Sequence, residues 1–233
     1  MGMVKHDEGH LSHRIGLLRA TVLGANDGII STACLILGVA AADATRSTII
    51  TAGVAGLVAG AASMAIGEYV SVSSQRDSEQ ADIVKETWEL AHTPEHELDE
   101  LTAIYASKGL NDQLAREVAV ALTEKDALKV HLAEELGITS FTMARPLQAS
   151  VSSAGSFSVG AAIPLIAVAL ASSANRIATT VVIAVFALVA LGVSSSKAGG
   201  AHPLRPTFRV VFGGLVAMAF TMTVGHFVGT AVA

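Results

Sequence analysis

Five long apolar stretches, at about residues 20–42, 47–74, 147–175, 177–196 and 210–233, alternate with polar segments along this chain. Each supplies the roughly 20 residues that a helix needs to cross a hydrocarbon core of about 30 Å. No period-2 alternation runs through them, which argues against an outer-membrane barrel. They are rich in Ala, Gly, Ser and Thr, the small residues that let helix backbones approach in lipid. The pattern predicts an all-α polytopic membrane protein with five transmembrane helices.

The polar stretch between the second and third spans has its own helical periodicity. The second span is expected to continue unbroken to about Ala91. Thr93-Pro94 then marks a restart, with Thr93 as N-cap and Pro94 at the first helical position. That helix stops at Gly109. A third, capped by Asn111 or Asp112, ends near Gly137, with a break around Thr123. Leu98, Leu101, Ile104 and Tyr105 form one apolar stripe, and Leu114, Val118, Ala121 and Leu122 another. An inserted three-helix bundle follows. The expected organisation is an N-terminal tail (1–19), spans 1–2 (20–74), the inserted domain (75–146) and spans 3–5 (147–233).

Charge sharpens this picture. Of 20 acidic residues, 15 lie between Asp77 and Glu135, and none follows Glu135. Lys and Arg are sparse in the two short hairpin connections, which hold only Arg46 and Arg176. The positive-inside rule therefore puts the N-terminus and the acidic domain in the cytoplasm. The two hairpins hint at a parallel two-helix repeat. The first span is no signal peptide, being long and containing Asp27. Cys34 is the only cysteine, so no intrachain disulfide can form.

Within the acidic block, Glu79, Asp82, Glu86 and Glu89 follow i, i+3, i+7, i+10 spacing on one helix face. Glu97 and Glu100 repeat the E-x-x-E spacing, and Glu134 and Glu135 follow His131. Stacked like charges oppose helix formation unless a cation relieves them. A solvated acidic face is the bland alternative, and it suits Glu95, Glu117, Glu124 and Asp126. The E-x-x-E pairs, with His92, His96 and His131 nearby, suit Mn²⁺ or Fe²⁺ better than Cu⁺ or structural Zn²⁺. In the spans, Asp27 and Glu68 are carboxylates in hydrocarbon, which cost several kcal/mol unless paired or ion-bound. Met64 shares a face with Glu68 at i, i+4. Asp27 near water, or capping a break at Asn26-Asp27-Gly28, is the alternative. Pro164 is expected to kink the third span. Met218, Met222 and His226 form a stripe better explained by packing than by metal, and for His6, His10 and His13 metal binding on the tail and a disordered polar tail are equal alternatives.

Two runs, Leu23-Gly24-Ala25-Asn26-Asp27-Gly28-Ile29-Ile30-Ser31 and Ala59 through Met64-Ala65-Ile66-Gly67-Glu68-Tyr69-Val70 to Asp77, resemble the vacuolar iron transporter family. The compact prokaryotic branch is the nearest likeness, and Gly155-Ser156-Phe157 opens the third span in the same manner. The resemblance implies a homodimer that exports Fe²⁺, often Mn²⁺, from the cytoplasm through a pore at the subunit interface, with protons moving oppositely. It implies pore roles for Asp27 and Met64. It also implies metal binding by Glu86, Glu89, Glu97, Glu100 and Glu135. The chain departs from the plant branch at Gly56, where that branch has a pore glutamate, and at His131-Leu132, where it has methionines. Glu68 and His131 are the candidate replacements, with Glu134 beside them.

The expected cargo is Fe²⁺ or Mn²⁺, with Zn²⁺ or Co²⁺ as further options, and no other cofactor. Expected partners are metal ions, protons, lipid and a second copy, not nucleic acid. An enzyme is not expected. The rival readings are a membrane-anchored carboxylate ferroxidase or iron store, suggested by Glu89-Leu90-Ala91-His92, and a metal sensor.

Overall fold

The computed structural model describes residues 15–139 and 143–232, so His6, His10 and His13 lie outside the described residues. Seven helices follow in order: α1 (Ile15–Ala41), α2 (Arg46–His92), α3 (Pro94–Ser107), α4 (Asp112–Glu134), α5 (Pro146–Leu170), α6 (Arg176–Ala198) and α7 (Leu204–Val232). There is no strand among the described residues. Five of the helices are long and apolar enough to cross a membrane, as the apolar stretches predict. The chain divides into two compact units, residues 71–145 and the remainder, with α2 contributing to both.

In the membrane unit α1 is the central helix. Its Ile29, Ala33 and Leu37 pack with Ala184 and Leu188 of α6 and Met218 of α7. Its Ile36 and Ala40 pack with Ile49 of α2 and Val168 of α5. The crossing of α1 and α5 depends on glycine. A Cβ on Gly28 would collide with the Phe157 carbonyl, and one on Gly160 with the Ala25 carbonyl. Backbones this close leave no room for any side chain.

The hairpin ends are tied reciprocally. Arg46, opening α2, donates to the Ala169 carbonyl near the end of α5. Arg176, opening α6, donates to the carbonyls of Ala40 (3.5 Å) in the last turn of α1 and Ala44 (3.0 Å) just beyond it. Each guanidinium thus satisfies carbonyls that a helix C-terminus leaves without intrahelical partners. That accounts for arginine in two connections otherwise free of Lys and Arg. Met218 is buried in the core and Met222 packs against it, as the packing reading of that stripe requires.

The acidic unit follows its local signals with three corrections. Asn111 caps α4, its Oδ1 accepting from the Leu114 N–H at 2.9 Å, and Gly109 takes φ +100°. Thr93 precedes α3 as expected, but its hydroxyl donates back to the Glu89 carbonyl (3.0 Å) and caps nothing. The break in α4 falls at Asp126 (φ −168°, ψ 85°), not Thr123. There Oδ1 accepts from the Lys129 N–H at 3.1 Å, so Asp126 recaps the final segment in the manner of an N-cap. The buried face of α4 is Ala115 and Ala119, while Leu114 is exposed. Small residues let α3 and α4 come close, and that decided the face over side-chain size.

Candidate functional site

Four chemistry-bearing side chains converge inside the acidic unit. Glu86 comes from the polar part of α2, Glu97 from the first turn of α3, and His131 and Glu135 from the last turn of α4 and just beyond it. One donor atom from each lies within 4.8 Å of all the others. His131 Nδ1 is 3.0 Å from Glu86 Oε1, 3.6 Å from Glu135 Oε2 and 3.9 Å from Glu97 Oε2. His131 is 0 % exposed, Glu86 3 % and Glu97 4 %.

The polar atoms are close but not hydrogen-bonded. Neither nitrogen of His131 nor Glu86 Oε1 has a hydrogen-bond partner, although Nδ1 and Oε1 are 3.0 Å apart. Buried polar atoms are nearly always paired, and leaving a charged one unpaired is costly. Several donors facing a common point without bonding one another fit a cation between them. Burial, followed by the charge of Glu135, pushes the Glu86 carboxyl above its ordinary range, and His131 pulls it partly back. Three carboxylates and an imidazole suit a divalent first-row ion.

Other sequence candidates fall elsewhere. Glu100 joins a second, more exposed group with His96 and the shared Glu97, at 4.0 and 3.6 Å from His96 Nδ1. Glu89 pairs with Lys85 at 3.2 Å, and Glu134 with Lys108. Glu79 accepts from the Ala144 N–H at 3.0 Å, and Asp82 is exposed. The expected single acidic face on α2 therefore splits, with only Glu86 turned into the cluster. His92 stacks on Trp88 (centroids 4.3 Å apart) and its Nδ1 lies 2.7 Å from the Trp88 carbonyl. The E-x-x-H spacing of Glu89 and His92 thus brings neither residue into the four-residue cluster.

In the membrane unit, Asp27 and Met64 line one cavity of about 200 Å³ with Ser31, Thr32, Leu35, Gly56, Gly60, Ser63 and Phe157. Gly60 is pressed against the Phe157 ring, and at Gly56 even a Cβ would run into the end of the Leu35 side chain. The Thr32 hydroxyl is buried without a hydrogen bond. Glu68 does not line this cavity; its Oε1 lies 3.9 Å from Arg19 Nη2. Sequence reasoning missed Ser31, Thr32 and Ser63. The signal was available in Ser31 at i+4 from Asp27 and Ser63 next to Met64.

A multi-span helical membrane protein, with a carboxylate in its spans and a carboxylate–imidazole cluster in an acidic helical unit, has the build of an ion-handling membrane protein. The comparisons narrow this. The VIT family model matches residues 18–226, and the chain belongs to that family. It is similar to a vacuolar iron transporter of Acanthamoeba castellanii, 44% identical over 211 residues, covering 90% of this chain and 78% of the relative. Vacuolar iron transporter homolog 5 of Oryza sativa is 39% identical over 216 residues, covering 92% and 82%. Vacuolar iron transporter homolog 2.1 of Arabidopsis thaliana is 35% identical over 226 residues, covering 97% and 87%.

Proposed function

We propose that this protein moves Fe²⁺, and Mn²⁺ with it, out of the cytoplasm in exchange for protons, as a homodimer. The observation that carries the reading is the group of Glu86, Glu97, His131 and Glu135, the first three buried and the last exposed, in which Glu86 Oε1 and both His131 nitrogens have no hydrogen-bond partner. The relatives are named as iron transporters, and family membership makes metal transport the natural use of such a site. The acidic unit loads metal from the cytoplasm, its net negative field raising the local cation concentration. The membrane unit passes the ion on through Asp27 and Met64.

One carboxylate, one thioether and a few hydroxyls are a thin replacement for the hydration shell of a divalent ion. A second copy facing the same cavity would double that set. The α2 face bearing Thr51, Val54, Ala55, Val58 and Ala59 supports this, since it is exposed and small enough for close helix approach. Proton coupling needs only the Asp27 carboxyl. Protonation removes its charge and weakens its hold on a cation, so proton entry and metal release can share one group. The arrangement of Lys and Arg along the sequence supports a cytoplasmic acidic unit.

The test is flux in proteoliposomes, with Fe²⁺ or Mn²⁺ outside, an internal pH dye and an imposed proton gradient. Metal uptake with opposite proton movement is expected. Tight metal binding without flux would overturn the transport reading and favour a sensor or store.

A further inference from the structure

We infer that the start of α7 is a binding site for an anionic phospholipid, with Arg205 and Arg209 holding the headgroup phosphate. Leu204, Arg205, Phe208, Arg209, Phe212 and Gly213 line a shallow groove of about 670 Å³ on the outer side of α7. The opposite side of the helix is occupied: Gly214 packs against Leu188 and Ile30, and Met218 is in the core. The two arginines are one helical turn apart at i, i+4, so their guanidinium groups share a face.

Three observations point to this occupant. First, the positive charge lacks a partner. No Asp or Glu follows Glu135, and among the described residues neither guanidinium has an ion-pair partner. Second, the depth is right. α7 has 29 residues, about 43 Å at 1.5 Å per residue, against a hydrocarbon core of about 30 Å. Its first turns therefore lie at headgroup level, where phosphates are. Third, the apolar half of the groove suits an acyl chain. Leu204, Phe208 and Phe212 are 71 %, 70 % and 58 % exposed, and the two rings stack with centroids 5.8 Å apart. Aromatic side chains beside basic ones mark the membrane interface. A second copy is a poor occupant, because a two-fold contact through this patch would bring four guanidinium groups together without an acid.

The experiment is native mass spectrometry of the purified full-length protein, titrated with phosphatidylglycerol, phosphatidylcholine or inorganic phosphate. Phosphatidylglycerol is expected to bind about tenfold or more tightly than phosphatidylcholine, since each basic residue at a membrane surface adds appreciably to anionic-lipid affinity. Arg205→Gln/Arg209→Gln should erase that preference, and Phe208→Ala/Phe212→Ala should weaken retention of both lipids. Lys125→Gln/Lys129→Gln, which removes two charges from the acidic unit, should leave the preference intact. Thermal melting checks that each variant is folded; all four α7 side chains are exposed, so little change is expected. Equal binding of the two lipids would overturn the proposal, as would a preference that survives the arginine substitutions. Binding of inorganic phosphate as tightly as phosphatidylglycerol would make the site one for free anion and overturn the lipid assignment. Doubling of mass on arginine substitution would show the patch to be a suppressed self-contact instead.

Discussion

The two regions proposed to bind ions are built in opposite ways. The acidic unit gathers three carboxylates and an imidazole into a group, buried except for Glu135, whose donor atoms lie within 4.8 Å of one another. The cavity around Asp27 and Met64 offers one carboxylate and one thioether across about 200 Å³, its remaining polar lining being hydroxyls. Many converging charged donors favour tight, slow-leaving binding. Few donors in a roomier space favour passage, since conduction requires that an ion leave as readily as it enters. Under the proposed function the contrast gives capture to one region and transit to the other, and it can be broken at several points.

The largest effect is expected at Asp27. Asp27→Asn keeps the shape but removes the charge, and flux should fall by about 100-fold or more, while metal binding to the acidic unit is unchanged. Substantial flux in this variant would remove Asp27 from the path. Next comes the cluster itself. Glu86→Gln with His131→Ala should lower Mn²⁺ affinity by at least about tenfold in isothermal titration, because two of four ligands are lost. Flux in the same variant should fall only several-fold.

Glu97 and Glu100 separate the two acidic groups. Glu97→Gln removes a member of both and should cost affinity nearly as much as Glu86→Gln. Glu100→Gln touches only the exposed group, and an effect of about twofold is expected. Glu89→Gln and Glu134→Gln remove partners of lysines and should leave affinity unchanged, since exposed ion pairs contribute little. Equal losses across all these variants would mean a diffuse acidic surface and no centre.

The smallest effect concerns pH. Glu86 has its folded-state carboxyl raised by burial, so the folded unit binds that proton more tightly than the unfolded chain does. Its contribution to stability is present below the ordinary carboxylate range and is lost as pH rises through the raised value. The metal-free protein should therefore lose some melting temperature through this group as pH rises above the ordinary carboxylate range. Glu86→Gln should flatten that part of the slope, and saturating Mn²⁺ should reverse it by binding the folded state. An identical slope in wild type and Glu86→Gln would show that Glu86 is solvated.

How much of this was legible in the sequence depended on whether the cause was local. The five spans were readable because a bilayer imposes a length and a polarity on contiguous residues. Asn111, Pro94 and Gly109 were readable because caps, helix starts and positive φ are local backbone matters. Asp27, Met64, Glu86 and His131 stood out as individual candidates by residue type and by resemblance. The face of α4 was misjudged because the sequence ranks Leu114 above Ala115 in hydrophobicity, whereas close approach to α3 rewarded the smaller residue. The break at Asp126 was misplaced because that residue's own side chain recaps the helix.

Only the tertiary structure decided which acids act together. Spacing placed Glu79, Asp82, Glu86 and Glu89 on one helix face, and a helix face carries no instruction about what lies opposite. Glu86 meets Glu97, His131 and Glu135 because the fold brings them together; Glu89 pairs with Lys85, and Glu79 accepts from the Ala144 amide and the Gln75 side chain. Likewise, Glu68 looked like a partner of Met64 by spacing, yet it lies beside Arg19 while Asp27 shares the Met64 cavity. Sequence determines which side chains can hold charge and where along a helix they sit. Which of them share a point in space is set by the packing of distant segments, and metal binding depends on that point.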